Sequence, residues 1–188
     1  TVDLSAASGK DITIDYAVQA ASTATGSGTD YTLSNGTKTI SAGATSVTIS
    51  VPTASDALDE DNETVVILLS NPSNASLEDA NKQLTLTITD DDPTPSVQFN
   101  ATSANYAEET ASHNIRVDLS AVSGRDVSVA YTVAAGSPAA TGSGTDYTLE
   151  DGTATISAGS SNTNIVLTNV NDTMDEWNEK FVVTLSNS

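Results

Sequence analysis

Apolar and polar positions alternate along this chain with a period of two. Ile12, Ile14, Tyr16 and Val18 are separated by polar or small residues, and Val127, Val129, Tyr131 and Val133 repeat the arrangement. The same alternation runs through Val47, Ile49 and Val51, through Val65, Ile67 and Leu69, through Leu84, Leu86 and Ile88, and through Phe181, Val183 and Leu185. A β-strand turns successive side chains to opposite faces, so this period predicts half-buried antiparallel strands. Ser8-Gly9, Asn35-Gly36 and Asp151-Gly152 punctuate the runs and read as turns. No segment carries a helical period. Short strands between turn signals, several per ~100 residues, predict an all-β chain of immunoglobulin-like antiparallel sandwiches.

The pattern occurs twice. Thr25–Leu33 and Thr141–Leu149 share the sequence TGSGTDYTL at a spacing of 116 residues. Val2–Val18 answers Val117–Val133 at a spacing of 115, and the extra residue falls in the loop that holds Pro138. Gly36–Gly43 answers Gly152–Gly159, Asp56–Glu63 answers Asp172–Glu179, and Leu69–Asn71 answers Leu185–Asn187. Self-similarity in this order implies tandem modules, with boundaries at 1–92 and 93–188. The second copy opens on a strand-like stretch, SVQFNATSANYAEE, with no equivalent in the first. The first closes on Gln83–Asp92, with no equivalent in the second. The first module is therefore expected to lack its first strand and the second its last, which leaves open edges where either neighbouring chains are expected to pair or the fragment is expected to be a trimmed product. Asp90-Asp91-Asp92-Pro93-Thr94-Pro95 joins the copies, and its two prolines predict a stiff connection.

Charge narrows the list of partners. Twenty-five Asp and Glu face six Lys and Arg, giving a net charge of −19. Such a surface repels phosphate backbones and anionic lipid, so nucleic acid is not expected as a partner. Cations are. The absence of cysteine excludes disulfides, thiolate metal sites and a Cys nucleophile. A chain destined for the outside of a cell then needs another staple, and metal ions serve. No apolar run is long enough to span a bilayer, and any signal peptide is expected outside this sequence.

The acids are clustered. Asp30 lies in G-T-D-Y. Asp56, Asp59, Glu60, Asp61 and Glu63 fill the loop before the Val65–Leu69 run, and Asp90–Asp92 close the copy. The second copy repeats the first two groups with Asp146 and with Asp172, Asp175, Glu176 and Glu179, and it adds Glu108 and Glu109. Neighbouring carboxylates repel one another unless a cation lies between them. Oxygen donors without His or Cys suit a hard ion, and Ca²⁺ accepts six to eight oxygens at ~2.3–2.6 Å. The competing reading is a solvated acidic loop, since Asp also favours turns for local reasons. Recurrence at matched positions is the ground for preferring the ion.

Other candidates are weaker. His113 is the only histidine and has no counterpart in the first copy, so it reads as a strand residue. Trp177 lies in the acidic loop of the second copy, where it would cover a metal site or touch a neighbour. Tyr16, Tyr31, Tyr131 and Tyr147 are repeat-matched and read as packing residues. Paired carboxylates could indicate glycoside hydrolysis, but here they occur twice and in metal-like clusters, so no enzyme is expected.

These residues resemble the Calx-beta family, known from sodium–calcium exchangers, integrin beta-4 and large bacterial surface proteins. The resemblance rests on an opening Ala-Glu, on G-x-D-Y, on D-x-x-x-E-x-x-E before a strand ending in L-S-N, and on a closing I-x-D-D-D. It implies a seven-stranded sandwich with Ca²⁺ at one end. It implies ligands at Asp30, Asp56, Glu60, Asp90, Asp91 and Asp92 in the first copy, and at Glu108, Asp146, Asp172 and Glu176 in the second. Ser55 and Ala57 stand where exchanger-type loops carry further acids, so fewer ions per module are expected. The functional expectation is a calcium-stiffened spacer in a large extracellular or cell-surface, adhesin-like parent protein associated with a membrane. Its partners would be calcium ions and neighbouring modules, and cell-surface proteins or glycans through the parent. The alternatives are a regulatory calcium sensor and an adhesive or carbohydrate-binding accessory module of a secreted protein.

Overall fold

A computed structural model of the chain describes residues 1–142, 144–173 and 177–186. Two compact units are present. Unit 1 comprises Thr1–Asp56 and Asp61–Asp91, and unit 2 comprises Ala57–Glu60 and Asp92–Ser188. By repeat position Ala57–Glu60 belongs to the first copy, but in the structure it is part of unit 2.

Unit 1 contains strands β1 (Val2–Asp3), β2 (Ile12–Val18), β3 (Gly36–Ile40), β4 (Ser46–Val47), β5 (Glu63–Ser70) and β6 (Gln83–Ile88). One sheet has the order β3-β2-β5-β6, and β1 pairs with β4 as the second layer. All these pairings are antiparallel. A single 3₁₀ turn at Asp79–Asn81 leads into β6. The core gathers Ala24, Tyr31, Val65 and Ile67, with Tyr16, Val18, Leu33, Val51, Leu86 and Ile88 packed against them.

Unit 2 contains β7 (Val97–Phe99), β8 (Ser112–Leu119), β9 (Val127–Ala135), β10 (Tyr147–Thr148), β11 (Gly152–Ile156), β12 (Asn162–Asn169) and β13 (Phe181–Ser186). They form two sheets, β10-β12-β8-β7 and β11-β9-β13. Inward-facing Val117, Leu119 and Ile165 of the first sheet meet Val129, Ala154 and Ile156 of the second. A second cluster joins Ala140, Tyr147 and Leu167, where the rings of Tyr147 and Phe181 stack with centroids 4.6 Å apart. All-β architecture with antiparallel layers is what the alternating pattern predicts.

The run Val47–Val51 departs from that prediction. Its repeat counterpart, β12, is eight residues long because it pairs with seven residues of β8. In unit 1 the neighbour β1 is two residues long, and β4 stops at Val47. Val51 still packs against the core from irregular backbone. The opening stretch of the second copy likewise yields only the three residues of β7.

The glycines that lead into β3 and β11 have a packing reason. Gly36 pairs with Tyr16 and Gly152 with Tyr131, each glycine lying under the tyrosine ring. A Cβ on Gly152 would come 2.7 Å from the Tyr131 hydroxyl oxygen. Overpacking of this kind typically costs 1–3 kcal/mol. Gly152→Ala should therefore lower the stability of unit 2 by about that amount in urea titration, and adding Tyr131→Phe should recover part of the loss. Leu167, fully buried in the second cluster, should cost about 2–5 kcal/mol when changed to Ala. Exposed Val166 on the opposite face of the same strand should cost less than about 1 kcal/mol on the same change in the same titration.

Candidate metal centre

The loops that carry the acids are built from backbone hydrogen bonds. In unit 1 the Asp30 carboxylate accepts the amide of Thr25, while the Asp30 amide donates to the Thr25 carbonyl at 3.0 Å. Asp146 and Thr141 of unit 2 make the same two bonds. Gly28 and Gly144, at φ of 92° and 87°, turn each loop so that their amides reach the carbonyls of Tyr31 and Tyr147. The tyrosines then bury their rings, at 5% and 7% exposure, over Gly26 and Gly142. Burial pushes the Tyr147 hydroxyl pKa up, with help from the Glu150 and Asp146 charges. The TGSGTDYTL motif is thus a folding element first, and its Asp is a brace for its own loop.

These loops meet others at one end of each unit. In unit 1 the amide of Ala54 donates to the Asp30 carbonyl at 2.8 Å, which sets the chain leading to Asp56 beside Asp30. The amides of Thr23 and Ala24 donate to the Thr64 carbonyl at the start of β5, and the Asp90 amide donates to the Asn62 side chain at 2.9 Å. Asp30, Asp56, Asp61, Asp90 and Asp91 therefore share one end of the unit. In unit 2 the Val170 amide donates to the Asp146 carbonyl at 2.9 Å, and the Asp172 amide donates to Glu108 Oε1 at 3.1 Å. Glu108, Asp146 and Asp172 share the equivalent end. Glu176 lies outside the described residues. Glu60 and Asp92 belong to unit 2, not to the unit that holds Asp30, Asp56, Asp90 and Asp91.

Shared location is not coordination. Among the described residues no three His, Asp or Glu side chains converge closely enough to hold a metal ion. The donor types fit a hard cation, since every candidate is a carboxylate and backbone carbonyls are at hand.

One acid of the loop has a different role. Asp59 is 5% exposed. Its Oδ2 accepts from Arg125 Nη2 at 2.6 Å, and its Oδ1 accepts from the Thr94 hydroxyl at 3.2 Å. The Ser123 hydroxyl, itself buried, donates to the Asp59 carbonyl at 3.1 Å, and so does the Gly124 amide. A Cβ on Gly124 would lie 2.5 Å from Glu60 Cγ, so the Glu60 side chain would have to move to admit one. The Arg125 hydrogen bond holds the Asp59 carboxyl below the usual carboxylate range despite burial, with Thr94 adding to it. The charge of Asp59 is thus spent on Arg125 and not on a cation. The sequence holds a faint trace of this pair, since Arg125 is one of only six basic residues and follows the turn Ser123-Gly124.

Other matched acids brace backbone as well. Asp11 and Asp126 each accept a backbone amide, from Ala42 and Ala158, both at 2.8 Å. Asn71, at φ of 51°, ends β5 and donates to Asp15 at 3.0 Å, which explains the Asn of L-S-N. Trp177 is 90% exposed. His113 lies in β8 opposite Leu167 and stacks on Tyr106 with centroids 4.0 Å apart. Its Nε2 is buried and has no hydrogen-bond partner among the described residues.

Asp59 has a folded pKa below its unfolded one. Its contribution to stability is therefore complete above the unfolded value near pH 4 and is lost as pH falls through the depressed folded value. Asp59→Asn should lower the melting temperature of unit 2 at pH 7. It should also flatten the acid limb of the pH–stability curve below about pH 4 relative to the parent chain. Melts followed by circular dichroism from pH 2 to 7 check both.

The Calx-beta domain model matches the chain twice, over residues 1–92 and 90–188. Among solved structures, the crystal structure of CBD12 from CALX1.2 is 22% identical over 89% of this chain and 65% of that one, with a TM-score of 0.44. The crystal structure of the calcium binding domain CBD12 of CALX1.1 is 21% identical over 95% of this chain and 67% of that one, with a TM-score of 0.41. The chain thus spans about two thirds of the length of each. Comparison with curated protein sequences gives no match. Two matches that together take in the whole length place this chain in the Calx-beta domain family, as a tandem pair.

Proposed function

We propose that the chain is a calcium-binding tandem module that acts as a calcium-stiffened spacer in a large extracellular or cell-surface, adhesin-like protein. The role is binding rather than catalysis. The observation that carries it is the gathering of acids from separate loops at the equivalent end of each unit, in a chain of net charge −19. The acids Asp56, Asp61, Asp90 and Asp91 would supply unit 1, and Glu108 and Asp172 would supply unit 2, with carbonyl oxygens and water completing the shell. Asp30 and Asp146 would offer the carboxylate oxygen that their loops do not use. The run Asp90–Asp92 leads directly into Pro93-Thr94-Pro95. Neutralising that run would remove the repulsion within it and restrain the connection between modules.

A cation that binds only the folded chain at a hundred times its dissociation constant adds ~2.7 kcal/mol per site. Thermal unfolding with Ca²⁺, with equal Mg²⁺ and with excess chelator should therefore show a rise of several degrees with Ca²⁺ alone. The double variant Asp56→Asn and Asp91→Asn should lose the part of that rise that belongs to unit 1. Titration calorimetry separates the roles. A spacer outside the cell should bind at about 10⁻⁴–10⁻³ M, and its small-angle scattering profile should change on chelation. Affinity of about 10⁻⁷–10⁻⁵ M would indicate a regulatory sensor instead. No thermal shift would leave the acids as surface charge.

A further inference from the structure

The charge of this chain avoids the sheet faces of unit 2. Its described strands carry one acid, Asp118, and one guanidinium, Arg116, although the net charge of the chain is −19. Both lie on the outward face of the sheet β10-β12-β8-β7. There the register sets Arg116 beside Asn164, Asn114 beside Val166, and Gln98 beside Asp118. Arg116 Nε donates to Asp118 Oδ1 at 2.6 Å, and Asn100 Nδ2 donates to Asp118 Oδ2 at 3.3 Å. The face is therefore neutral and its guanidinium is held in place. The side-chain amides of Gln98, Asn114 and Asn164 are exposed and make no hydrogen bond among the described residues. Val166, 57% exposed, lies among them.

Sheet stability does not ask for these residues. Asn is disfavoured in strands, and Thr is the polar residue that suits an outward strand position. The opposite sheet of the unit keeps to that rule, with Thr132, Thr153, Thr155 and Thr184 on its outward face. In the first copy, at a spacing of 116 residues, Ser46, Thr48 and Ser50 stand where Asn162, Asn164 and Val166 stand in the second. An amide-rich face around an exposed valine is thus particular to unit 2 and not a need of the repeated fold.

We propose that the outward face of β7, β8 and β12 is a binding site for a neutral glycan chain. A primary amide offers a donor and an acceptor side by side, which matches adjacent hydroxyls on a sugar ring, and the Nη groups of Arg116 add donors. Val166 gives the C–H face of a ring an apolar seat. The face carries no net charge, so a neutral chain meets no repulsion there. Outward positions recur at ~7 Å along a strand and at ~4.8 Å across strands, which spreads the amides along an extended oligosaccharide rather than around one sugar. None of the candidate calcium ligands lies on this face, so either reading stands if the other fails.

The test is to screen the whole chain, in excess chelator, against immobilised mannan, dextran and xylan, with alginate as the acidic comparison. Titration calorimetry then follows with the polysaccharide that binds. The expected result is saturable binding to a neutral polysaccharide and none to alginate. The double variant Asn114→Thr and Asn164→Thr should weaken that binding about tenfold or more. It should melt no lower than the parent chain, because Thr suits the strand. Thr155→Ala, on the other sheet, should leave binding unchanged. Binding to none of the neutral polysaccharides would overturn the proposal, and so would binding that the double variant retains in full. Binding that appears only with Ca²⁺ would also overturn it, because the acidic end of the unit would then hold the sugar. So would a dimer in sedimentation, in place of glycan binding, that the double variant abolishes, because the face would then belong to a second copy.

Discussion

Backbone hydrogen bonding between strands is the constraint on which this molecule depends. The chain has no cysteine, and its described residues contain no helix beyond one 3₁₀ turn. A buried amide or carbonyl must therefore find its partner on a neighbouring strand or in a loop that imitates one. Strand length is consequently a property of pairs. β12 runs for eight residues because β8 lies beside it, while the equivalent stretch of unit 1 keeps only the two residues that β1 can meet. Apolar alternation says which face a residue takes if it is in a strand. It does not say how far the ladder reaches.

The same constraint sorts the acidic residues. A carboxylate that accepts a backbone amide supplies a partner the ladder cannot, and Asp11, Asp30, Asp126 and Asp146 all do this at matched positions. Recurrence between the two copies is thus weaker grounds for a metal site than it first seems, because a repeated fold repeats its braces too. Under the proposed function the acids that would bear on calcium are those of the Asp56 and Asp172 loops and of the Asp90–Asp92 run.

The sequence is legible where one residue type has one physical use. Alternation located β2, β5, β6, β9 and β13 to within two residues of their ends. The four repeat-matched tyrosines were readable as packing residues, and two are buried while the other two pack against the cores. Legibility fails where the use depends on a distant partner. Asp59 and Glu60 look alike in the string Asp-Glu-Asp, yet Asp59 is buried against Arg125, 66 positions later. The gathering of loops at one end of each unit follows from topology, and the alternation carries it. The distances between carboxylates do not follow, since loop backbone is set by local bonds such as those of Thr25 and Asp30.

Burying Asp59 with Arg125 also changes what the rest of its loop can do. Half-exposed Arg125 neutralises the buried Asp59 carboxylate, so the Asp56–Glu63 loop presents one fewer negative charge to a cation than its sequence suggests. The loop is divided as well, with Ala57–Glu60 in one unit and the residues on either side of it in the other. A short acidic loop whose central carboxylate is buried against Arg125 does not offer that carboxylate to an ion. Under the proposed function, coordination would come from its two flanks, Asp56 on one and Asp61 on the other, together with the Asp90–Asp91 chain that Asn62 tethers. That division of labour gives a physical reason for expecting few ions per module: the number is limited by how many carboxylates the fold can release from its own hydrogen bonds, and not by how many the sequence contains.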